Sequence, residues 1–347
     1  MSKWIYHFGA GAAEGNMALK NILGGKGACL AEMSSLGLPV PVGFTITTDV
    51  CNHYFHQESN WPEGLQENLD QSIAALEENS GKHFGSTANP LLVSVRSGAP
   101  VSMPGMMDTI LNLGLNDDTA KALAELTGNE KFAYDAYRRF IKMFGDVVLK
   151  ISYGKFSKHE RALFKQKPES EITAQDCKDL VAKFKEVLKN EKATLPYEPR
   201  EQLKLAINAV FDSFNNPRAK YHRKKQGIPD NTGTAVNVQA MVFGNMDDNS
   251  ATGVCFTRDP KTGEKNFFGE WLPCAQGEDV VAGTHTPQPL NRSSLYEKSN
   301  MEDTLEHCLP ETYKELFTLQ ERLEQHYKDM QDIEFTVESG KLYLLQT

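Results

Sequence analysis

The stretch from Ser94 to Gly114 constrains this chain more than any other part of it. An apolar run, Leu91 to Val95, ends at Arg96 and reads as a strand; a loop follows that carries Gly98, Gly105 and Gly114 and methionines that look exposed. Glycine has no Cβ to hold a ligand away, so backbone N–H groups in such a loop can close on an anion, and the forked guanidinium of Arg96 matches phosphate. The pattern asks for a strand end presented to a polyphosphate, and the needs of a core do not explain it. On composition alone, a long surface connection is the plainer alternative.

Around that loop the chain changes character twice. Up to about residue 111, short strands alternate with helices: Ile5 to Phe8, a helix from about Gly25 to Leu36, Phe44 to Thr47, a helix within 62–80, then Leu91 to Arg96. Such alternation implies an α+β or α/β layer. From about 116 to 214 helical periodicity takes over, with Tyr137, Phe140, Ile141, Phe144, Val147 and Val148 on one stripe. Breakers at Asn215 to Pro217 and Gly227 to Gly233 precede a return of strands at Thr234 to Val242, Thr252 to Phe256 and Phe267 to Leu272. After Pro310 the apolar spacing is helical through Tyr313, Leu316, Leu323 and Tyr327; it then switches to two, with Ile333, Phe335 and Val337 alternating with Asp332, Glu334 and Thr336. Ser339 and Gly340 turn the chain into Leu342 to Gln346, a hairpin. The sequence stops at Thr347, directly after a strand residue, as a cut through a longer chain would.

With 347 residues there is room for two or three units, each with its own core. A net charge of -9 argues against a nucleic-acid or anionic-membrane surface, both of which need a concentrated basic face. The N-terminus breaks into glycines too early for a secretory signal, and no stretch approaches a membrane span. Six cysteines without a Cys-x-x-Cys pair read as free thiols in a reducing compartment, so the cytoplasm is expected.

Several short motifs could carry chemistry. Gly24, Gly25, Lys26 and Gly27 precede a helix with Leu30 and Met33, and a helix start with a lysine is an anion site; the alternative is a glycine turn with a solvated lysine. It is no P-loop, because position 20 is Lys and Gly27 stands where Ser or Thr is required. Gly9 to Gly15 imitates a dinucleotide fingerprint with one extra residue, but Gly24 brings a second glycine break where a Rossmann unit needs its helix, so a loop is expected, with Rossmann-type binding as the alternative. Arg138, Arg139 and Lys142 lie on one side of a helix over 130–146, where a solvated charged face is the ordinary reading. Gly233 to Val242 alternates as a strand ending in a turn, which could offer backbone groups to an adenine edge or could be core alone. Asp332 and Glu334 project from one strand face with Gln346 returning beside them, and paired carboxylates with an amide oxygen suit Mg²⁺; exposed strand acids are the alternative.

Five segments resemble the N-terminal nucleotide-binding portion of the pyruvate phosphate dikinase family: residues 22–33, 93–115, 132–140, 233–283 and the terminal hairpin. The resemblance implies an α+β, ATP-grasp-like fold, with two α+β subdomains gripping ATP and a helical subdomain. The divisions expected are 1–111, completed by about 200–245, then 112–199 and 200–347. It implies Lys26, Arg96 and Arg139 as the catalytic phosphate-charge residues, and Gly98, Met103, Gly105, Asp108 and Thr109 as members of a 101–114 loop that covers the triphosphate. Gln239 and Met241 fall near the base, Glu278 at the ribose hydroxyls, and Asp332, Glu334 and Gln346 at Mg²⁺ and phosphate. In that family ATP passes its β,γ-diphosphate to a histidine on a separate swivelling domain, inorganic phosphate takes the γ-phosphate, and pyruvate becomes phosphoenolpyruvate. The complete enzyme is expected to be a homodimer. None of the nine histidines here lies in a Gly-Gly-x-Thr-Ser-His string, so the nucleophile belongs to another domain. A phosphoenolpyruvate synthase-type domain lacks the Met103 to Thr109 string, and a non-catalytic ATP-sensing module is the other reading. Pro100, Cys274 and His285 depart from the family pattern.

Overall fold

Apolar runs build two larger antiparallel sheets, one from strands within residues 5–240 and one from strands within 251–346. The computed structural model describes residues 3–168, 171–281, 285–296 and 299–347. Among these the strands are β1 (Ile5–Gly9), β2 (Ala12–Ala13), β3 (Gly43–Ile46), β4 (His83–Phe84), β5 (Pro90–Leu91), β6 (Val93–Gly98), β7 (Thr109–Leu113), β8 (Ala235–Ala240), β9 (Ala251–Phe256), β10 (Phe268–Pro273), β11 (Gln288–Pro289), β12 (Asp332–Glu338) and β13 (Lys341–Gln346). The helices are α1 (Lys20–Ser35), α2 (Thr48–His56), α3 (Leu65–Ser80), α4 (Asp117–Thr127), α5 (Glu130–Val147), α6 (Tyr153–Phe164), α7 (Ala174–Asn190), α8 (Pro199–Phe214), α9 (Pro217–Gln226), α10 (Gly277–Val281), α11 (Leu305–Cys308) and α12 (Pro310–Tyr327). The fold is mixed α+β, and no described helix is long and apolar enough to cross a membrane.

Contacts divide the chain into two units: Met1–Phe8, Ala12–Glu32 and Val42–Met241 form the first, and Gly9–Gly11, Met33–Pro41 and Val242–Thr347 the second. The first holds the sheet β2-β1-β3-β8-β6-β7. Strand β8 is laddered on both sides, by β3 and β6, and Ala235 to Gln239 are accordingly buried. Helix α5 packs against β7 and against α4, α6, α7 and α8, burying Phe140 and Phe144, while Phe156 meets Phe184 edge-on at 5.3 Å. The second unit holds β11-β10-β9-β12-β13, with α10 against β9 and β12 and α12 against β13.

The glycine-rich stretch is shorter as a loop than its sequence suggests. Thr109 to Leu113 pairs antiparallel with β6, so the open part runs only from Ala99 to Asp108. Ile110 and Leu113 are fully buried, and a register shift between Val93 and Val95 absorbs Asn112, whose φ is 58°. Helix α9 has no counterpart in the apolar pattern, because it is charged nearly all round and buries only Ala219 and Arg223; its start is written instead in the Asn216 cap and Pro217. Within the Gly9 to Gly15 segment, Ala10 and Gly11 form a tight turn between β1 and β2, and the Glu14 N–H donates to the His7 carbonyl at 3.0 Å.

Candidate functional site

Four strands of the first sheet contribute one polar row. Thr45 on β3 pairs with Asn237 on β8, Asn237 with Arg96 on β6, and Arg96 with Thr109 on β7. Residues opposite one another in an antiparallel ladder share a face, so these four project together. Thr45 Oγ1 donates to Asn237 Oδ1 at 2.8 Å, and Arg96 Nη2 donates to Gln239 Oε1 at 2.6 Å. Helix α1 is pressed onto this row. A Cβ at Gly27 would stand 2.8 Å from both Asn237 Oδ1 and Thr45 Oγ1, too close for any side chain. At Gly24 the helix is broken (φ 69°, ψ 171°), and a Cβ there would overlap the Gly98 carbonyl oxygen at 1.6 Å. The Gly25 N–H donates to Ala99 at 3.0 Å. Lys26, flanked by Gly25 and Gly27, is therefore held in the first turn of a helical segment pinned to the end of β6, beside the row that contains Arg96.

Gly98 ends β6 and leads into the loop. Contrary to the exposure its sequence implies, Met103 is buried at 8%, and its carbonyl accepts the Met106 N–H at 3.2 Å. Gly105 has φ 67° with nothing within 4 Å of its open side, so glycine serves the backbone turn there. The loop's last residues are tied down: Asn216 Nδ2 donates to the Met106 carbonyl at 2.7 Å, and the Asp108 N–H donates to Ser213 Oγ at 3.3 Å. Burial pushes the Asp108 carboxyl above its usual range, with Lys150 opposing and Asp146 adding.

Arg138 and Arg139 do not form a solvated face. Their side chains are 6% and 13% exposed, and Asp135 bridges them: Arg138 Nη2 lies 2.5 Å from Oδ1, and Arg139 Nε donates to Oδ2 at 2.8 Å. Glu160 on α6 takes Arg138 at 2.7 Å and Lys142 at 2.9 Å. Burial would raise the Asp135 carboxyl, but the Arg138 and Arg139 guanidiniums outweigh it and hold the group down to about 2. Arg139 is thus a guanidinium of fixed orientation on the helix that packs on β7.

The adenine-side segment differs from expectation in its details. Gln239 is 2% exposed, and its side chain supports Arg96. The N–H groups of Ala240 and Met241 donate to the carbonyls of Val42 and Leu92, each at 2.9 Å. A purine-edge donor is therefore not among those two N–H groups.

In the second unit Glu278 is exposed in the first turn of α10, which packs on β12; the string continues through Ala282 and Gly283, which lie outside the described residues. On β12, Ile333, Phe335 and Val337 are fully buried, which turns Asp332 and Glu334 to the other face. Plain alternation from Leu342 and Leu344 would set Gln346 opposite Ile333. An irregularity at Leu345 resets the register, so Gln346 stands opposite Glu334 and joins the acid face. Partial desolvation and then the neighbouring Glu334 charge push the Asp332 carboxyl up. Among the described residues no group of three or more His, Cys, Asp or Glu could hold a metal. A metal at β12 would take two carboxylates and one amide oxygen and complete its shell from water or ligand, a donor set that fits Mg²⁺.

A model of the family "Pyruvate phosphate dikinase, AMP/ATP-binding domain" matches residues 20–79, 57–304 and 290–347. The chain belongs to this family. It is 50% identical over 352 residues to the pyruvate, phosphate dikinase of Clostridium symbiosum, covering 100% of this chain and 38% of that protein. The pyruvate, phosphate dikinase of Rhizobium meliloti (strain 1021) is likewise 50% identical, with 39% of its length covered; the chloroplastic protein of Mesembryanthemum crystallinum is 50% identical, with 35% covered. The chain spans less than two fifths of the length of these relatives.

Two of the positions at which the sequence is expected to depart from the family pattern have a visible setting. Pro100 is buried where the loop leaves β6, and Cys274 is exposed with φ 49°, a left-handed conformation that asparagine tolerates better than cysteine. Sequence reasoning missed Asn237, Asp135 and Asn216. Asp135 had a signal in its i−4 spacing to Arg139, and Asn237 had one as an amide inside an apolar strand.

Proposed function

We propose that this chain binds Mg-ATP and inorganic phosphate and aligns the β- and γ-phosphates for transfer to a histidine on a separate domain, a step that leads in the complete dikinase to phosphoenolpyruvate. The observation that carries the reading is the close packing of the Gly24 to Gly27 segment, which includes Lys26, on the end of β6 at Gly98 and Ala99, two residues beyond Arg96 and at the root of the Ala99 to Asp108 loop. Converging cations and a glycine-bearing loop neutralise and orient a triphosphate, and phosphoryl transfer asks a protein mainly for positioning and charge stabilisation.

In this reading Lys26, Arg96 and Arg139 meet phosphate oxygens, Met103, Gly105 and Asp108 belong to the cover, Gly98 and Thr109 are the strand residues that flank it, and Gln239 braces Arg96. Asp332, Glu334 and Gln346 would hold Mg²⁺, which supplies charge neutralisation at the phosphates when bound, and Glu278 would accept from ribose hydroxyls. Calorimetric titration with Mg-ATP tests this reading. The wild-type chain is expected to bind, and Glu334→Ala to bind at least about tenfold more weakly, since a charge-assisted contact is worth about 1.5–3 kcal/mol. Equal affinity in the two would remove β12 from the site.

A further inference from the structure

We propose that Asn216 is a positioning residue that ties the Met103 to Asp108 part of the loop to a rigid point of the first unit and so sets how the loop lies over the nucleotide. The inference rests on the reading above that this loop covers the triphosphate.

Both ends of the Asn216 carboxamide are used. Oδ1 accepts the Ala219 N–H at 2.7 Å and caps α9; Nδ2 donates to the Met106 carbonyl at 2.7 Å. Ser213 Oγ, at the end of α8, accepts the Asp108 N–H at 3.3 Å. The loop is thus held at two points by one turn, the junction of α8 and α9.

That turn is well fixed. Arg223, fully buried, lies over the Phe214 ring at 3.9 Å, donates to the Phe214 carbonyl, donates to Asn215 Oδ1 at 3.2 Å and pairs with Asp230 at 2.9 Å. Pro217 restricts the backbone immediately after Asn216. The loop's outer part contrasts with this: Val101 is 47% exposed and Gly105 has an open side. A cover that must admit a triphosphate and then close needs a free tip and a fixed end. Fixing one end beforehand reduces the entropy lost when the loop orders on the ligand.

The two functions of the carboxamide can be separated. Asn216→Asp and Asn216→Ser both keep an oxygen to cap α9 and both delete the Nδ2 amide that reaches the Met106 carbonyl, aspartate adding a charge and serine leaving only a shorter hydroxyl. In the 347-residue chain both variants are expected to melt at the wild-type temperature. Without nucleotide, the amides of residues 101–108 are expected to exchange hydrogen about threefold to tenfold faster, and Mg-ATP is expected to bind about threefold to tenfold more weakly, the loss of one hydrogen bond. Unchanged exchange in both variants overturns the tether. Faster exchange with wild-type affinity for Mg-ATP overturns its role in nucleotide positioning. Failure of the wild-type chain to bind Mg-ATP would instead strike the functional reading, and is distinguishable because exchange is measured without ligand.

Discussion

Single residues in this chain are held by partners that a pattern of residue types does not reveal. Asp135 is the clearest case, since one carboxylate orients Arg139 and is itself fixed by Arg138, which Glu160 balances from another helix. Its carboxyl sits at about 2 in the fold, below the usual value of about 3.9. A depressed carboxylate contributes stability that is full above about pH 4 and disappears as pH falls through 2. Asp135→Asn should therefore cost about 3 kcal/mol near pH 7, because it leaves two largely buried guanidiniums without their shared partner. Between pH 4 and 2 the gap between wild type and variant should shrink, as the wild-type carboxylate takes up its proton. Denaturant melts across that range would show it, and parallel curves would mean that Asp135 does not hold the pair.

At the scale of elements, glycine placement decides where α1 can go. Gly24 combines φ 69° with a Cβ position 1.6 Å from the Gly98 carbonyl oxygen, whereas Gly37 has the same φ and nothing within 4 Å. Gly37→Ala should cost only the left-handed strain, about 1–2 kcal/mol. Gly24→Ala should cost about 3 kcal/mol or more, since it adds a backbone clash that separates the Lys26 segment from β6. Thermal unfolding of the two variants measures the difference, and equal shifts would show that the close approach of α1 is not required. Much of this level was legible in the sequence. The switch from helical to twofold spacing after Met330 marked the terminal hairpin, and the breaker clusters marked the return of strands at Ala235 and Ala251. What escaped were features set by distant partners. Thr109 to Leu113 looked like loop because its pairing with β6 absorbs an irregularity, and α9 was hidden because its residues have almost no apolar face. The candidate site followed the same division: Lys26, Arg96 and the Asp332, Glu334 pair could be named from local strings, but the Asn237 row and the register shift that turns Gln346 depend on strands far apart in sequence.

For the whole molecule, the cations and the carboxylates are distributed unequally. The chain carries a net charge of -9, yet Lys26, Arg96 and Arg139 belong to the first unit and Asp332 and Glu334 to the second. In the proposed reading the chain binds and orients a triphosphate, and phosphoryl transfer also needs an acceptor; none of the nine histidines lies in the Gly-Gly-x-Thr-Ser-His string expected of one. The prediction is that the chain incubated with Mg-ATP and phosphate releases no AMP, because positioning without a nucleophile leaves only water to attack. Adding a separately prepared phosphohistidine domain of the same family should start AMP release, measurable by chromatography. Arg96→Ala should abolish that release while the variant still folds, with a stability loss of about 1–3 kcal/mol from the missing bond to buried Gln239, since Arg96 is half-buried within β6 and its loss leaves the apolar core intact. AMP production by the chain alone would mean that it carries its own acceptor. Near-normal release from the Arg96→Ala variant would show that the part of β6 opposite Asn237 is not where the phosphates lie.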